Sequence, residues 1–137
     1  MMKKITVLTA ALAAVGVASF TPAAQAFVAD AGCQGGGHYL TAKYTLTQDA
    51  TYHYWDKVEY RLTGASTGGK SDVKFRLVEG GSVTKFEWPS PDNRINDKWY
   101  TKQIDVTSTR AKDEKFRARA GFDTAGQDNE CIAVLDY

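Results

Sequence analysis

Strict alternation of apolar and charged side chains recurs along this chain and leaves room for little but a β fold. Val58, Tyr60 and Leu62 alternate with Lys57, Glu59 and Arg61, and Val73, Phe75 and Leu77 with Lys74 and Arg76. Phe116, Ala118, Ala120 and Phe122 alternate with Lys115, Arg117 and Arg119. A period of two puts one set on each face of a strand. Seven strand segments are expected: His38–Gln48, Tyr52–Thr63, Asp72–Glu79, Val83–Trp88, Trp99–Thr107, Lys115–Asp123 and Glu130–Asp136. Turn chemistry separates them, including a Gly/Ser/Thr run at 64–69, Gly80-Gly81, the polar stretch Pro89-Ser90-Pro91-Asp92-Asn93 and Asp123-Thr124-Ala125-Gly126. Past residue 26 no window carries a helical apolar stripe, and there is no internal repeat. The apolar faces should meet between two packed sheets. Cys131-Ile132-Ala133-Val134-Leu135 is apolar at every position, which predicts a central strand or one covered on both faces.

Phe116-Arg117-Ala118-Arg119-Ala120, followed by Gly126, resembles the penultimate strand and following loop of fibronectin type III modules, with Phe116 where that pattern has Tyr. The resemblance implies a single immunoglobulin-like antiparallel β-sandwich of about seven strands. It implies little about activity, because that fold carries many functions.

The N-terminus reads as an export tag. Lys3 and Lys4 precede the uncharged apolar stretch Ile5–Phe20, Pro22 breaks it, and Ala24-Gln25-Ala26 is a small-x-small cleavage pattern. The stretch falls short of the ~20 residues of a spanning helix, so 1–26 is expected to be removed rather than to anchor. A single secreted domain, 27–137, would remain. Losing two lysines takes the formal net charge from +1 to −1, so no global field draws the domain to nucleic acid or an anionic membrane. In an oxidising compartment Cys33 and Cys131 have only each other to pair with, and a disulfide is expected. A lipid anchor on Cys33 is disfavoured, because Asp30 stands where a lipobox wants an aliphatic residue.

One string invites a false assignment. Gly64-Ala65-Ser66-Thr67-Gly68-Gly69-Lys70-Ser71 fits the phosphate-loop pattern G-x-x-x-x-G-K-S. That motif works by aiming backbone amides at a phosphate from a helix N-terminus. Here Asp72–Val78 follows, with the period and composition of a strand, so the string reads as a loop that binds no nucleotide.

The remaining candidates point to binding. Continued from Tyr60, alternation puts Tyr52 and Tyr54 inward and His53 and Trp55 outward, making Trp55 a platform for a sugar or a protein. A β-bulge near Asp56-Lys57 would instead turn Trp55 into the core. Trp88, Trp99 and Tyr100 flank the loop Pro89–Lys98, either as a binding rim or as plugs at the end of the core. Lys74, Arg76, Lys115, Arg117 and Arg119 should share one face, because the third and sixth strands are neighbours in an immunoglobulin-like sheet; that face is either a basic docking surface or an ordinary solvated one with acids such as Glu79 and Asp113 nearby. The oxygen-rich loops around Asp92–Asp97 and Asp123–Glu130 match no defined calcium pattern, so no metal is assigned. With two histidines in no catalytic pattern and both cysteines paired, neither enzyme activity nor a cofactor is expected. The expected protein is a secreted monomeric binding module for an extracellular protein or polysaccharide. A carbohydrate-binding module using exposed Trp, or a hydrolase inhibitor using the Pro89–Lys98 loop, are its alternatives.

Overall fold

A computed structural model of the chain describes residues 25–64, 70–110, 113–124 and 129–136. The expected export tag, apart from Gln25 and Ala26, lies outside the described residues, as do 65–69 of the glycine-rich string and 125–128 of the last loop.

The described residues form eight strands: β1 (Gln25–Gly35), β2 (His38–Gln48), β3 (Tyr52–Gly64), β4 (Asp72–Glu79), β5 (Val83–Pro89), β6 (Tyr100–Thr109), β7 (Lys115–Phe122) and β8 (Asn129–Asp136). They build two antiparallel four-stranded sheets, ordered β1-β2-β3-β6 and β5-β4-β7-β8. The seven expected strands are β2 to β8. The eighth, β1, is an addition that the expectation lacked. Its low β-propensity Gly/Ala/Asp content hides it, yet Phe27, Ala29, Ala31 and Cys33 alternate towards the core while Val28 and Asp30 face out.

Turn chemistry sets the register. Gly36 and Gly37, at φ 58° and 82°, make the two-residue turn between β1 and β2, where Gly35 pairs with His38. The Asp49 carboxylate accepts from the Thr51 and Tyr52 amides, both at 2.8 Å, to turn β2 into β3. The core between the sheets is aromatic. Tyr44 packs edge-on against Trp55 and Phe75, Phe116 lies 4.5 Å from Tyr44, and Tyr60 meets Phe75 at 5.2 Å between ring centroids. Cys33 in β1 and Cys131 in β8 are joined by a disulfide with Cα atoms 5.7 Å apart, tying one sheet to the other along one flank.

One expectation is corrected, and one pair of alternatives is decided. β8 is neither central nor covered on both faces. It is the edge of its sheet, with Cys131 and Ala133 buried but Ile132 55% and Val134 44% exposed. An unbroken apolar run cannot reveal which strand neighbours it, so its burial was over-read. In β3 the structure takes the reading with a bulge near Asp56-Lys57 over strict alternation. Leu46 pairs with Trp55 and Thr45 with Lys57, so Asp56 is an extra residue. That bulge reverses the faces upstream of it. Trp55 and His53 are buried at 2% and 1%, while Tyr52 and Tyr54 are exposed. Gln103 holds the bulge by donating to the Asp56 carbonyl at 3.0 Å and to its carboxylate at 2.7 Å.

Candidate functional site

The pairing of β4 with β7 assembles the cations that alternation placed outside. Lys74 lies opposite Arg119 and Arg76 opposite Arg117, with Lys115 one step further along opposite Val78. Their neighbours Phe75, Leu77, Phe116 and Ala118 fill the core beneath. Like charges directly opposite each other destabilise a strand pair, so what compensates each pair matters. The first pair is compensated from both flanking strands. Lys74 Nζ sits 2.7 Å from Glu87 of β5, and Arg119 makes a two-point contact with Glu130 of β8 at 3.1 and 3.3 Å. The Lys74 hydrogen bond holds the Glu87 carboxyl below the usual carboxylate range.

The second pair is not compensated in this way. Glu87 is also the cross-strand neighbour of Arg76 but turns to Lys74. Arg76 donates only to the neutral Thr84 hydroxyl, at 3.2 and 3.4 Å. Arg117 has no ion-pair or hydrogen-bond partner among the described residues. Both are exposed. A cleft of about 160 Å³ lies between Lys74, Arg76, Arg117, Arg119 and Ile132. On the other side of Arg119 a larger hollow, about 390 Å³, is lined by Asp72, Asp92, Asp123 and Glu130 with Lys70. Two of its four carboxylates are engaged. Glu130 holds Arg119, Asp123 accepts the Lys70 amide at 3.1 Å, and burial raises the Asp72 carboxyl above its ordinary range. No group of three or more His, Cys, Asp or Glu among the described residues is placed to hold a metal ion.

The tryptophans divide. Trp55, expected as a possible platform, is a core residue, because the Asp56 bulge turns it inward. Its indole N–H donates to Ser108 Oγ at 2.8 Å and to Glu114 at 3.3 Å. His53 joins the same buried network, with Nδ1 2.6 Å from Glu114 and Nε2 3.1 Å from Gln48. Burial raises the Glu114 carboxyl above its ordinary range, and the His53 and Trp55 bonds only partly oppose it. No sequence signal marked Glu114, one of two adjacent carboxylates in a polar run. Trp88 and Tyr100 are half-buried and plug one end of the core, Trp88 stacking on Phe75 and Tyr100 on Tyr60, with Lys102 over one ring and Arg94 over the other. Trp99 is the exposed one, at 42%, lying over Arg61 at 4.8 Å and Lys43 at 5.8 Å.

The Pro89–Lys98 loop is stitched to the sandwich. The Ser90, Arg94 and Asp97 amides donate to the Val73, Ser71 and Leu62 carbonyls at 2.7 to 2.8 Å. The glycine-rich string ends β3 at Gly64 and leads through Ser71 into β4, so a strand and not a helix follows it. No helix among the described residues is long and apolar enough to cross a membrane. The chain matches no protein-family model, no curated protein and no solved structure.

Proposed function

We propose that this protein is a secreted, non-enzymatic binding module of immunoglobulin-like topology that docks an anionic partner on the outer face of β4 and β7. The order β2-β3-β6 against β5-β4-β7-β8 supports the topology, because it parallels the A-B-E and C′-C-F-G arrangement of such sandwiches, with β1 as an added edge. The disulfide supports an oxidising compartment. Both histidines are buried and both cysteines are bonded, which favours binding over catalysis.

The observation that carries the reading is the Arg76–Arg117 pair: two exposed guanidiniums side by side, neither in an ion pair among the described residues, with Glu87 acting on Arg76 only at a distance and Asp113 lining the neighbouring hollow. A bound oxyanion relieves their repulsion, and planar guanidiniums match carboxylate, sulfate or phosphate geometry. Retention of the protein on immobilised poly-glutamate at low and high salt tests it. Salt-sensitive retention should be lost in Arg76→Ala/Arg117→Ala and kept in Lys57→Ala, on the opposite sheet. Equal retention of the double variant overturns it.

Trp99 favours a second reading, as a carbohydrate module. It is the one tryptophan of the three that is substantially exposed. A saturable emission shift with soluble glycans, absent from Trp99→Ala, is its expected signature. Silence across neutral and acidic glycans removes it.

A further inference from the structure

We propose that the occupant of this face is an extended protein segment in which an acidic and an aliphatic side chain stand two positions apart. The inference rests on the anion-docking reading and names the chemistry of the partner.

The observation behind it is what lies beside the arginines. Arg117 pairs with Val134 and Arg119 with Ile132, so these two rows of the sheet run from cation to aliphatic side chain. Ile132 and Val134 are 55% and 44% exposed, on the same outward face as the cations, and Ile132 forms one wall of the cleft between them. An exposed aliphatic pair on an edge strand is a feature that proteins usually blunt with charge. Here the one carboxylate beside the pair on that face of β8, Glu130, is taken up by Arg119, the cations sit one strand inward, and the pair stays open.

The spacing selects a polypeptide. Neighbouring strands lie ~4.8 Å apart, so the midpoint between Arg76 and Arg117 is roughly 7 Å from the β8 axis. Successive side chains on one face of an extended peptide are also separated by ~6.8 Å. A segment crossing the strands therefore sets a carboxylate between the two guanidiniums and its next sheet-facing side chain over Val134. An anionic polysaccharide answers the charge but has no aliphatic side chain to cover Ile132 and Val134. A second copy of this chain is disfavoured, since Glu130, the carboxylate two positions before Ile132 on β8, is engaged with Arg119 and Glu87 with Lys74.

Fluorescence anisotropy of the full-length protein with three labelled probes tests the proposal. These are a peptide of repeating Asp-Ser-Val-Ser, its equally charged Asp-Ser-Ser-Ser counterpart, and a polyuronate. The valine peptide should bind about tenfold tighter than the serine one. Ile132→Ser/Val134→Ser should erase that difference and leave serine-peptide binding unchanged, whereas Arg76→Ala/Arg117→Ala should weaken both peptides. Val134→Thr, which keeps shape and strand propensity, serves if the double serine variant does not fold. Equal binding of the two peptides, polyuronate binding tighter than either and indifferent to Ile132 and Val134, or self-association through this face each overturns the protein-segment inference. The first two leave anion docking intact. Failure of all three probes to bind in an arginine-dependent way overturns both.

Discussion

Glu114 shows how a single side chain ties this fold to pH. It is buried at 1% exposure where the chain enters β7, and it reaches His53 and Trp55 across the core. Because burial raises its carboxyl above the ordinary 4.5, the unfolded chain releases that proton at lower pH than the folded one. The stability Glu114 contributes is therefore complete below about pH 4.5 and declines as pH rises through the raised folded value. Urea unfolding of wild type and Glu114→Gln across that window should show the wild-type advantage shrinking as pH rises. A difference that is flat, or that grows, refutes the direction. A second residue is set against its surroundings in another way. The Tyr44 hydroxyl is buried with no protein partner among the described residues, and burial raises it far above its usual range. Tyr44→Phe should keep the fold and gain about 1 kcal/mol in chemical denaturation. A loss of that size would mean the hydroxyl is satisfied.

At the scale of the element, one residue decides which side of β3 is the core. Asp56 is the extra residue, and everything upstream of it is turned over relative to strict alternation. Deleting Asp56 should bring His53 and Trp55 to the surface and Tyr52 and Tyr54 inward. The outcome is either an unfolded chain or a red-shifted Trp55 emission, and a variant with native stability and spectrum would show that the bulge does not set the register. The end of the same strand is constrained by sterics. Gly64 has φ 118°, and a Cβ there would lie 2.4 Å from the Gly37 carbonyl oxygen. Gly64→Ala should cost roughly 1–3 kcal/mol in thermal or chemical melts, an effect that has nothing to do with phosphate binding.

At the scale of the molecule, two sheets are closed on one flank by the Cys33–Cys131 bond, which spans 98 positions. Constraining a loop of that size stabilises by up to ~4.7 kcal/mol in the chain-entropy account. Cys131→Ser, or reductant on the wild type, should shift the denaturation midpoint by most of a small domain's stability. An unchanged midpoint in reductant would show that the sheets hold without the bond.

Period-two patterning determined the all-β class and seven of the eight strands, because alternation is a local property of the chain. It also settled the cation set, since Lys74, Arg76, Arg117 and Arg119 had to lie opposite a core-facing set. The single cysteine pair limited the disulfide to one connectivity. What the sequence left open depends on neighbours distant along the chain. Leu135 and Val134 read alike until the sheet order makes β8 an edge, so the aliphatic rim of the candidate site was invisible. β1 stayed hidden because small residues pair well only where β2 and the disulfide already hold them. Whether Trp55 faces in or out hung on a bulge near Asp56-Lys57 that the sequence could propose but only the pairing with β2 and β6 could place. Compensation of charge is likewise tertiary. Only the placement of Glu87 beside Lys74 and Glu130 beside Arg119 leaves Arg76 and Arg117 as the facing cations without an ion pair among the described residues.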